Sequence, residues 1–412
     1  AGLVTMMWPT PTLTNLAKYS HELYASLEEE TGQATGYRRT GSISLARTEE
    51  RLEELQRTAS LTKVFGVESE FIDHARLEEL YPGINTEGVL GALYIEADGQ
   101  TNPVDTTMAL AKGARNRGAK VLEGIKVEEI LVEDGTATGV RTEQGTIMAD
   151  KVILAGGLWS RDIAQKIGVD LPLYACEHFY VVTEPMENLT KRPVLCDYDK
   201  GVYYKEDAGK MLVGWFELNA IGCPMSRISE DFCFDEFPTD MEHIEPYLMA
   251  GMETFPPLEE TGINTFFNGP ESFTNDNLHL LGPTPEVDNF WVACGMNSKG
   301  IGAGGGMGKI MADWVIDGYP SGDILECDVR RNQPVQKTQS YVEARIPEAL
   351  GHTYDMHWPF YQYKTSRDLV LSPLHETLKA QGACFGEVGG YERPNWFAKN
   401  GAPAEYVYSY KR

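Results

Sequence analysis

The most chemically suggestive stretch of this sequence is rich in glycine. Seven of the fourteen residues from Gly295 to Gly308 are glycine, and they follow an apolar stretch typical of a strand and lead into a stretch typical of a helix. Glycine lets a backbone approach a ligand closely, and a helix N-terminus offers free N–H groups and partial positive charge. The pattern favours a cofactor-binding loop, although a tight strand–helix crossover packed against a sheet would use the same residues.

Three further features could serve the same chemistry. Residues 152–159 run from an apolar strand through small residues, as in a dinucleotide-binding domain or in an ordinary strand–helix turn. His178 and Tyr180 alternate on a predicted strand and share one face, where they could orient a polar substrate, although a lone histidine more often has a structural role. Of Tyr203 and Tyr204, on another predicted strand, one should face inward and the other outward.

Charge and composition exclude several classes of function. The 412 residues carry 61 acidic and 36 basic side chains, for a formal net charge of −25. This balance argues against nucleic-acid partners and against docking on an anionic membrane, and no apolar run is long enough for membrane insertion. The seven cysteines are scattered, which disfavours a metal site and a disulfide framework and indicates a reducing compartment.

Periodicity predicts the elements that position these residues. Predicted helices cover 14–30, 48–64, 74–81, 105–117, 160–167 and 306–317. Predicted strands cover 40–46, 118–123, 126–132, 139–142, 145–149, 151–155, 178–183, 201–205 and 290–295. The glutamates at 28–30 and 49–54 are expected to lie on solvated helix faces. No Gly-x-Gly-x-x-Gly motif follows an N-terminal strand, so a dinucleotide-binding protein would need its first βαβ unit before residue 1.

Short motifs spread along the chain occur in one order. They are residues 27–32, Thr40-Gly41-Ser42-Ile43, 94–103 around Asp98-Gly99, 155–159, 176–183, 269–274, 295–298, 372–375 and 391–397. Through these motifs the sequence resembles the sarcosine and dimethylglycine dehydrogenases over essentially its whole length.

The resemblance implies a fold of the α/β and α+β classes. Residues 1–326 would form a partial FAD-binding domain, of the DAO/glutathione-reductase-like type, that lacks its first βαβ unit and carries an inserted antiparallel substrate-domain sheet, mainly at 171–270. Residues 327–371 would form a small central domain, and residues 372–412 would begin a folate-binding, aminomethyltransferase-like domain. We therefore expect a fragment that is truncated at both ends.

The implied function is flavin-dependent oxidative N-demethylation of a small methylated amine, sarcosine or dimethylglycine, with hydride transfer to FAD N5. Tetrahydrofolate would take the one-carbon unit, and an electron-transfer flavoprotein is a suitable electron acceptor. The compartment would be a bacterial cytoplasm or the mitochondrial matrix. Two alternatives stay open: a non-catalytic homologue like the regulatory subunit of pyruvate dehydrogenase phosphatase, and a peroxide-forming amine oxidase.

The resemblance also assigns site residues. His178 and Tyr203 would line the amine pocket, with Tyr180 behind them. The flavin would be attached covalently through a histidine just upstream of Ala1. The residues expected to bind FAD are Ala1, Gly2 and Leu3 beside that histidine, Val127 at the adenine, Gly156 and Trp159 near the dinucleotide, and Gly295, Met296, Asn297, Ser298, Lys299, Gly300 and Ile301 around the isoalloxazine.

Overall fold

The computed structural model describes residues 2–189, 191–357 and 361–406, so Ala1 lies outside the described residues. The helices are α1 (Pro11–Thr31), α2 (Glu49–Phe65), α3 (His74–Leu80), α4 (Pro103–Asn116), α5 (Ser160–Gln165), α6 (Met241–Thr254), α7 (Gly300–Asp317), α8 (Gln339–Gly351) and α9 (His375–Ala380). Within the described residues, no helix combines the length and hydropathy that a membrane span requires.

The strands form one large sheet and several small ones. They are β1 (Leu3–Val4), β2 (Ser42–Ala46), β3 (Glu70–Ile72), β4 (Gly91–Ile95), β5 (Gly99–Gln100), β6 (Val127–Glu133), β7 (Thr136–Thr142), β8 (Gly145–Met148), β9 (Val152–Leu154), β10 (Leu173–Thr183), β11 (Val194–Asp197), β12 (Val202–Asp207), β13 (Lys210–Trp215), β14 (Gly222–Cys223), β15 (Ile263–Thr274), β16 (Leu280–Pro283), β17 (Phe290–Cys294), β18 (Ala383–Val388) and β19 (Tyr391–Phe397).

The large sheet has the order β14-β10-β13-β12-β11-β2-β4-β3, with β15 also paired to β10. The β11–β2 pair is parallel, and the other pairs are antiparallel. Strands β2, β3 and β4 lie outside the range 171–270 that was expected to supply this sheet. Both faces of the sheet are covered by buried apolar clusters, one of which includes residues of α6 and the other residues of α8.

The covered faces explain why one expectation about the two tyrosines is wrong. Tyr203 and Tyr204 do point to opposite faces of β12, but both side chains are buried, because each face packs against its own core. Alternation along a strand gives opposite directions, and exposure then depends on what covers each face.

A smaller sheet carries the turns predicted to bind the cofactor. Its order is β16-β17-β9, and β17 runs parallel to β9. The turn after β9 and the loop after β17 therefore leave the same carboxyl edge of the parallel pair, which is where α/β sheets bind ligands. A separate meander, β6-β7-β8, follows α4 in the chain.

Helix α7 begins at Gly300, six residues before the predicted start, and three of its six glycines, at positions 304, 305 and 306, face α1. A Cβ atom at Gly306 would lie 2.2 Å from the Leu16 carbonyl oxygen of α1, and one at Gly305 would lie 3.0 Å from Ser20 Cα. The gap between the two helices is thus too narrow for larger side chains. Gly300 and Ile301, predicted as loop residues, are the first residues of this helix.

The strand predicted at 118–123 is also wrong. These residues follow α4, are exposed throughout, and belong to no strand. Their apolar members cover no core, so the alternating pattern has no buried face to occupy. Apart from this segment, every predicted helix and strand overlaps an observed one.

Candidate active site

A cavity of about 390 Å³ lies between the large sheet and the N-terminus of α7. Gly2 and Leu3 form one edge, and Ser298, Lys299 and Gly302 form another. Its volume falls within the range of about 300–1,000 Å³ typical of small-molecule sites. The cavity brings together residues from the two ends of the predicted FAD-binding set.

The loop between β17 and α7 has an unusual backbone. Gly295, Asn297 and Ser298 all have positive φ angles, of 64°, 50° and 62°. The Asn297 side chain accepts hydrogen bonds from the backbone N–H of Thr274 at 2.8 Å and from its hydroxyl at 3.1 Å. It also donates to the Gly295 carbonyl at 2.6 Å. Asn297 is buried and fixes the loop, whereas Ser298 and Lys299 face the cavity.

Lys299 brings a cationic side chain to the cavity. Its Nζ lies 5.8 Å from the centroid of the Trp8 ring, which also lines the cavity. Burial lowers the pKa of Lys299, since desolvation penalises the ammonium form. The partial positive charge at the N-terminus of α7 lies beside the same cavity.

Of the two residues predicted to be catalytic, Tyr203 lines the cavity and His178 lies behind its wall. The His178 ring is 5.0 Å from the ring of Phe216, which lines the cavity, and 6.1 Å from that of Phe273. Neither ring nitrogen has a hydrogen-bond partner among the described residues, and burial lowers the pKa of His178. The histidine is therefore neutral at neutral pH. Tyr180 stacks on Phe267 at 4.5 Å.

Asp98 is a cavity residue for which the sequence suggested no role. Its carboxylate accepts hydrogen bonds from the Met6 N–H at 2.7 Å and from the Ser42 hydroxyl at 2.6 Å. Burial raises its pKa to about 6. Asp98 thus joins the N-terminal segment to β2 at the cavity wall. The Asp98-Gly99 pair was the available signal, because only glycine at position 99 lets the chain pass this close to the Arg38 carbonyl oxygen.

Arg51 and Glu54 correct the expectation that residues 49–54 form a solvated helix face. Arg51 is buried, and both side chains line the cavity. Arg51 pairs with Glu54, donates to Asp199 at 3.2 Å, and donates to the Tyr354 carbonyl at 2.6 Å. The pKa of Glu54 is raised. Burial is the largest cause of this shift, and the nearby Arg51 opposes it.

Several residues predicted to bind FAD do not line this cavity. Val127 begins β6 and is exposed. Gly156 and Trp159 lie in the turn after β9, where Trp159 is 41% exposed. Met296 packs against the core beneath α7. The roles predicted for these residues stay predictions.

Comparison with protein families agrees with this architecture. The model of the FAD dependent oxidoreductase family matches residues 1–314, and that of the FAD dependent oxidoreductase central domain matches residues 317–372. The chain is also similar to a solved structure, the glycine oxidase of Geobacillus kaustophilus. The identity is 25%, the TM-score is 0.68, and the match covers 81% of this chain and 88% of the other.

Three curated relatives are similar over nearly the whole chain. The 4-methylaminobutanoate oxidase (formaldehyde-forming) of Paenarthrobacter nicotinovorans is 41% identical, over 100% of this chain and 50% of its own. The mitochondrial pyruvate dehydrogenase phosphatase regulatory subunit of Mus musculus is 35% identical, over 96% and 46%. The mitochondrial sarcosine dehydrogenase of Homo sapiens is 35% identical, over 100% and 45%. The chain thus spans about half the length of these relatives, and the predicted resemblance is confirmed.

Proposed function

The chain belongs to the family of FAD dependent oxidoreductases, and from this premise we propose that it takes part in the oxidative N-demethylation of a small methylated amine. The observation that carries the proposal is the cavity in which Gly2 and Leu3 meet the N-terminus of α7, opposite Tyr203. The similarity to 4-methylaminobutanoate oxidase and sarcosine dehydrogenase supports a methylated amine as substrate. Sarcosine and dimethylglycine are the substrates that we propose to test first.

The residues around the cavity fit FAD. A Cβ atom at Gly302 would lie 3.0 Å from the Leu3 carbonyl oxygen, so glycine is what leaves room between these two edges. The first N–H groups of a helix have no partner within the helix, and here the first turn of α7 contributes Gly302 to the same cavity as Lys299. Such donors suit the electron-rich edge of a flavin ring. We propose that Gly2, Leu3, Ser298, Lys299 and Gly302 hold that edge.

When bound, FAD accepts the hydride that leaves the N-methyl carbon. The side chains around the cavity would supply the charge and the apolar surface that this reaction needs. Lys299 and the α7 N-terminus favour negative charge at the adjoining edge of the cofactor. Hydride leaves readily only from an amine with a free lone pair, so an amine that binds as the ammonium ion must lose a proton before it reacts. The neutral His178 adds no positive charge that would oppose binding of the ammonium ion. Leu55, Leu93 and Ile95 supply an apolar surface that excludes water.

The wider reaction is proposed from the resemblance. The flavin would be linked to a histidine before Ala1, and tetrahydrofolate would take the one-carbon unit in a domain that begins near residue 372. Electrons would pass to an acceptor such as an electron-transfer flavoprotein, in a bacterial cytoplasm or the mitochondrial matrix. The similarity to an oxidase that forms formaldehyde favours a second candidate, in which oxygen is the acceptor and peroxide is produced.

The test is an anaerobic titration of the FAD-loaded protein with sarcosine, dimethylglycine and 4-methylaminobutanoate. We expect at least one amine to bleach the visible absorbance of the flavin. Admitting air and assaying peroxide then separates the oxidase from the dehydrogenase. A flavin spectrum that no methylated amine changes would contradict the proposal and favour a regulatory role like that of the phosphatase subunit.

A further inference from the structure

One side of the cavity is formed by aromatic rings from three separate parts of the chain. Measured between ring centroids, Tyr354 lies 4.6 Å from Phe216 and 4.8 Å from Tyr198, and Tyr203 lies 6.1 Å from Phe216. All four residues line the cavity. We call Tyr198, Tyr203, Phe216 and Tyr354 the aromatic wall.

Tyr354 is held in place by the backbone as well as by its ring. It lies just after α8, and its carbonyl accepts the 2.6 Å hydrogen bond from Arg51 on α2. Arg51 is itself bound by Glu54 and Asp199. The wall is therefore a fixed surface, and its last ring comes from a different segment of the chain than the other three, which lie in or directly after strands β11, β12 and β13.

The charges around the cavity favour a cationic guest. Within the part of the chain that the structure describes, three carboxyl groups line it, those of Glu54, Asp98 and Asp355, against two basic side chains, those of Arg51 and Lys299. His357 also lines it, and burial lowers the pKa of this histidine, which keeps it neutral. Arg51 is paired with Glu54 and Asp199, so Arg51 and Glu54 together add little net charge, and Asp98 and Asp355 remain against Lys299.

We propose that the aromatic wall binds the N-methyl groups of a methylated ammonium ion and that Tyr354 is a specificity-determining residue of this surface. The faces of aromatic rings carry negative electrostatic potential, and the methyl groups on a positively charged nitrogen are polarised toward them. More methyl groups cover more of the wall. The inference rests on the proposed function, because it names the part of the substrate that the cavity recognises.

The experiment compares two ligands of the same shape on the FAD-loaded protein. Trimethylglycine carries a quaternary nitrogen, and tert-butylacetate carries carbon in its place. Trimethylglycine has no free lone pair on its nitrogen and tert-butylacetate has no nitrogen, so neither is oxidised. Calorimetry therefore gives both dissociation constants without turnover. We expect trimethylglycine to bind about tenfold more tightly than tert-butylacetate, as for a cation held against desolvated rings.

Three variants assign that preference to the wall. Tyr354→Leu should reduce it to about twofold or less, whereas Tyr354→Phe should keep it, because the ring remains. Phe255→Leu is the control, since Phe255 is a buried aromatic residue that packs in the core on the opposite face of the large sheet. This variant should keep the preference.

Equal binding of the two ligands, or a preference that survives Tyr354→Leu, would overturn the inference. So would a preference that Phe255→Leu removes as completely as Tyr354→Leu does. Flavin reduction by a methylated amine is measured separately. A failure there would contradict the proposed function, whereas a failure of the ligand comparison alone would contradict only the role of the wall.

Discussion

Replacing one glycine in α7 tests how the cavity is built. In Gly306→Ala, the added methyl group would lie 2.2 Å from the Leu16 carbonyl oxygen and 2.6 Å from its carbonyl carbon. These are backbone atoms that cannot rotate away, so α1 and α7 must separate. Overpacking of this kind costs about 1–3 kcal/mol. Alanine also favours a helix over glycine by about 1 kcal/mol, which offsets part of the cost.

Gly308→Ala isolates the packing effect, because it makes the same replacement two residues further along. Gly308 is exposed, and a Cβ atom there would meet none of the described residues within 4 Å. This variant gains the same helix propensity without the clash, so the two variants should differ by the whole packing cost, about 1–3 kcal/mol. Urea unfolding followed by circular dichroism measures the difference.

The same two variants report on the cofactor site. Moving α7 away from α1 shifts Ser298, Lys299 and Gly302 relative to Leu3, so Gly306→Ala should also bind less FAD than Gly308→Ala. The reasoning fails if both variants unfold at the same urea concentration, or if Gly306→Ala is the more stable of the two. Equal FAD content in both would show that the contact with α1 does not position the cavity.

Three further outcomes follow from the contacts described above. Arg51→Met should destabilise the fold by about 3–5 kcal/mol, since it removes the ion-pair partner of two partly buried carboxylates. Arg57 is exposed on the same helix, and Arg57→Met should cost about 1 kcal/mol or less. Equal urea midpoints for the two variants would refute this prediction. Burial lowers the pKa of His21 to about 4, so the unfolded chain takes up the proton first. The free energy of unfolding should therefore fall as the pH drops below 6.5, by up to about 2 kcal/mol at pH 5, and this fall should be smaller in His21→Gln. Identical pH profiles for the original protein and the variant would contradict this prediction. His178→Ala should lower kcat far more than FAD content, and parallel losses would indicate a structural histidine.

Most of the secondary structure could be predicted from local patterns. Helix α1 has a Thr10 N-cap that accepts from the Leu13 N–H, a proline at its first position, and Gly32 in the left-handed conformation at its end. Each of these signals lies in adjacent residues, and each has a direct physical cause. The strands β6, β7 and β8 were likewise marked by the turns between them.

The cavity could be predicted only in part, because its remaining residues depend on contacts between distant segments. Arg51 is a normal residue for a charged helix, and only the fold brings Asp199 and Tyr354 to it. Tyr354 lies in a stretch with weak periodicity, so nothing nearby indicated that its ring would line the cavity. The glycine pattern located the loop before α7, and the resemblance placed Tyr203 in the amine pocket.

The glycines of α7 show how a local preference and a distant contact can oppose each other at a binding site. Glycine weakens a helix, and five glycines between Gly300 and Gly306 together disfavour the helix that they begin. Gly305 and Gly306 nevertheless allow α1 to lie close, and Gly302 leaves room beside Leu3. Two further contacts fix the helix there, since the Tyr24 hydroxyl donates to the Ile301 carbonyl at 2.7 Å and the Ser20 hydroxyl accepts from the Gly306 N–H at 2.9 Å. The position of the α7 N-terminus is thus set by its contact with α1, which explains why a sequence that would form a better isolated helix would make a poorer cavity.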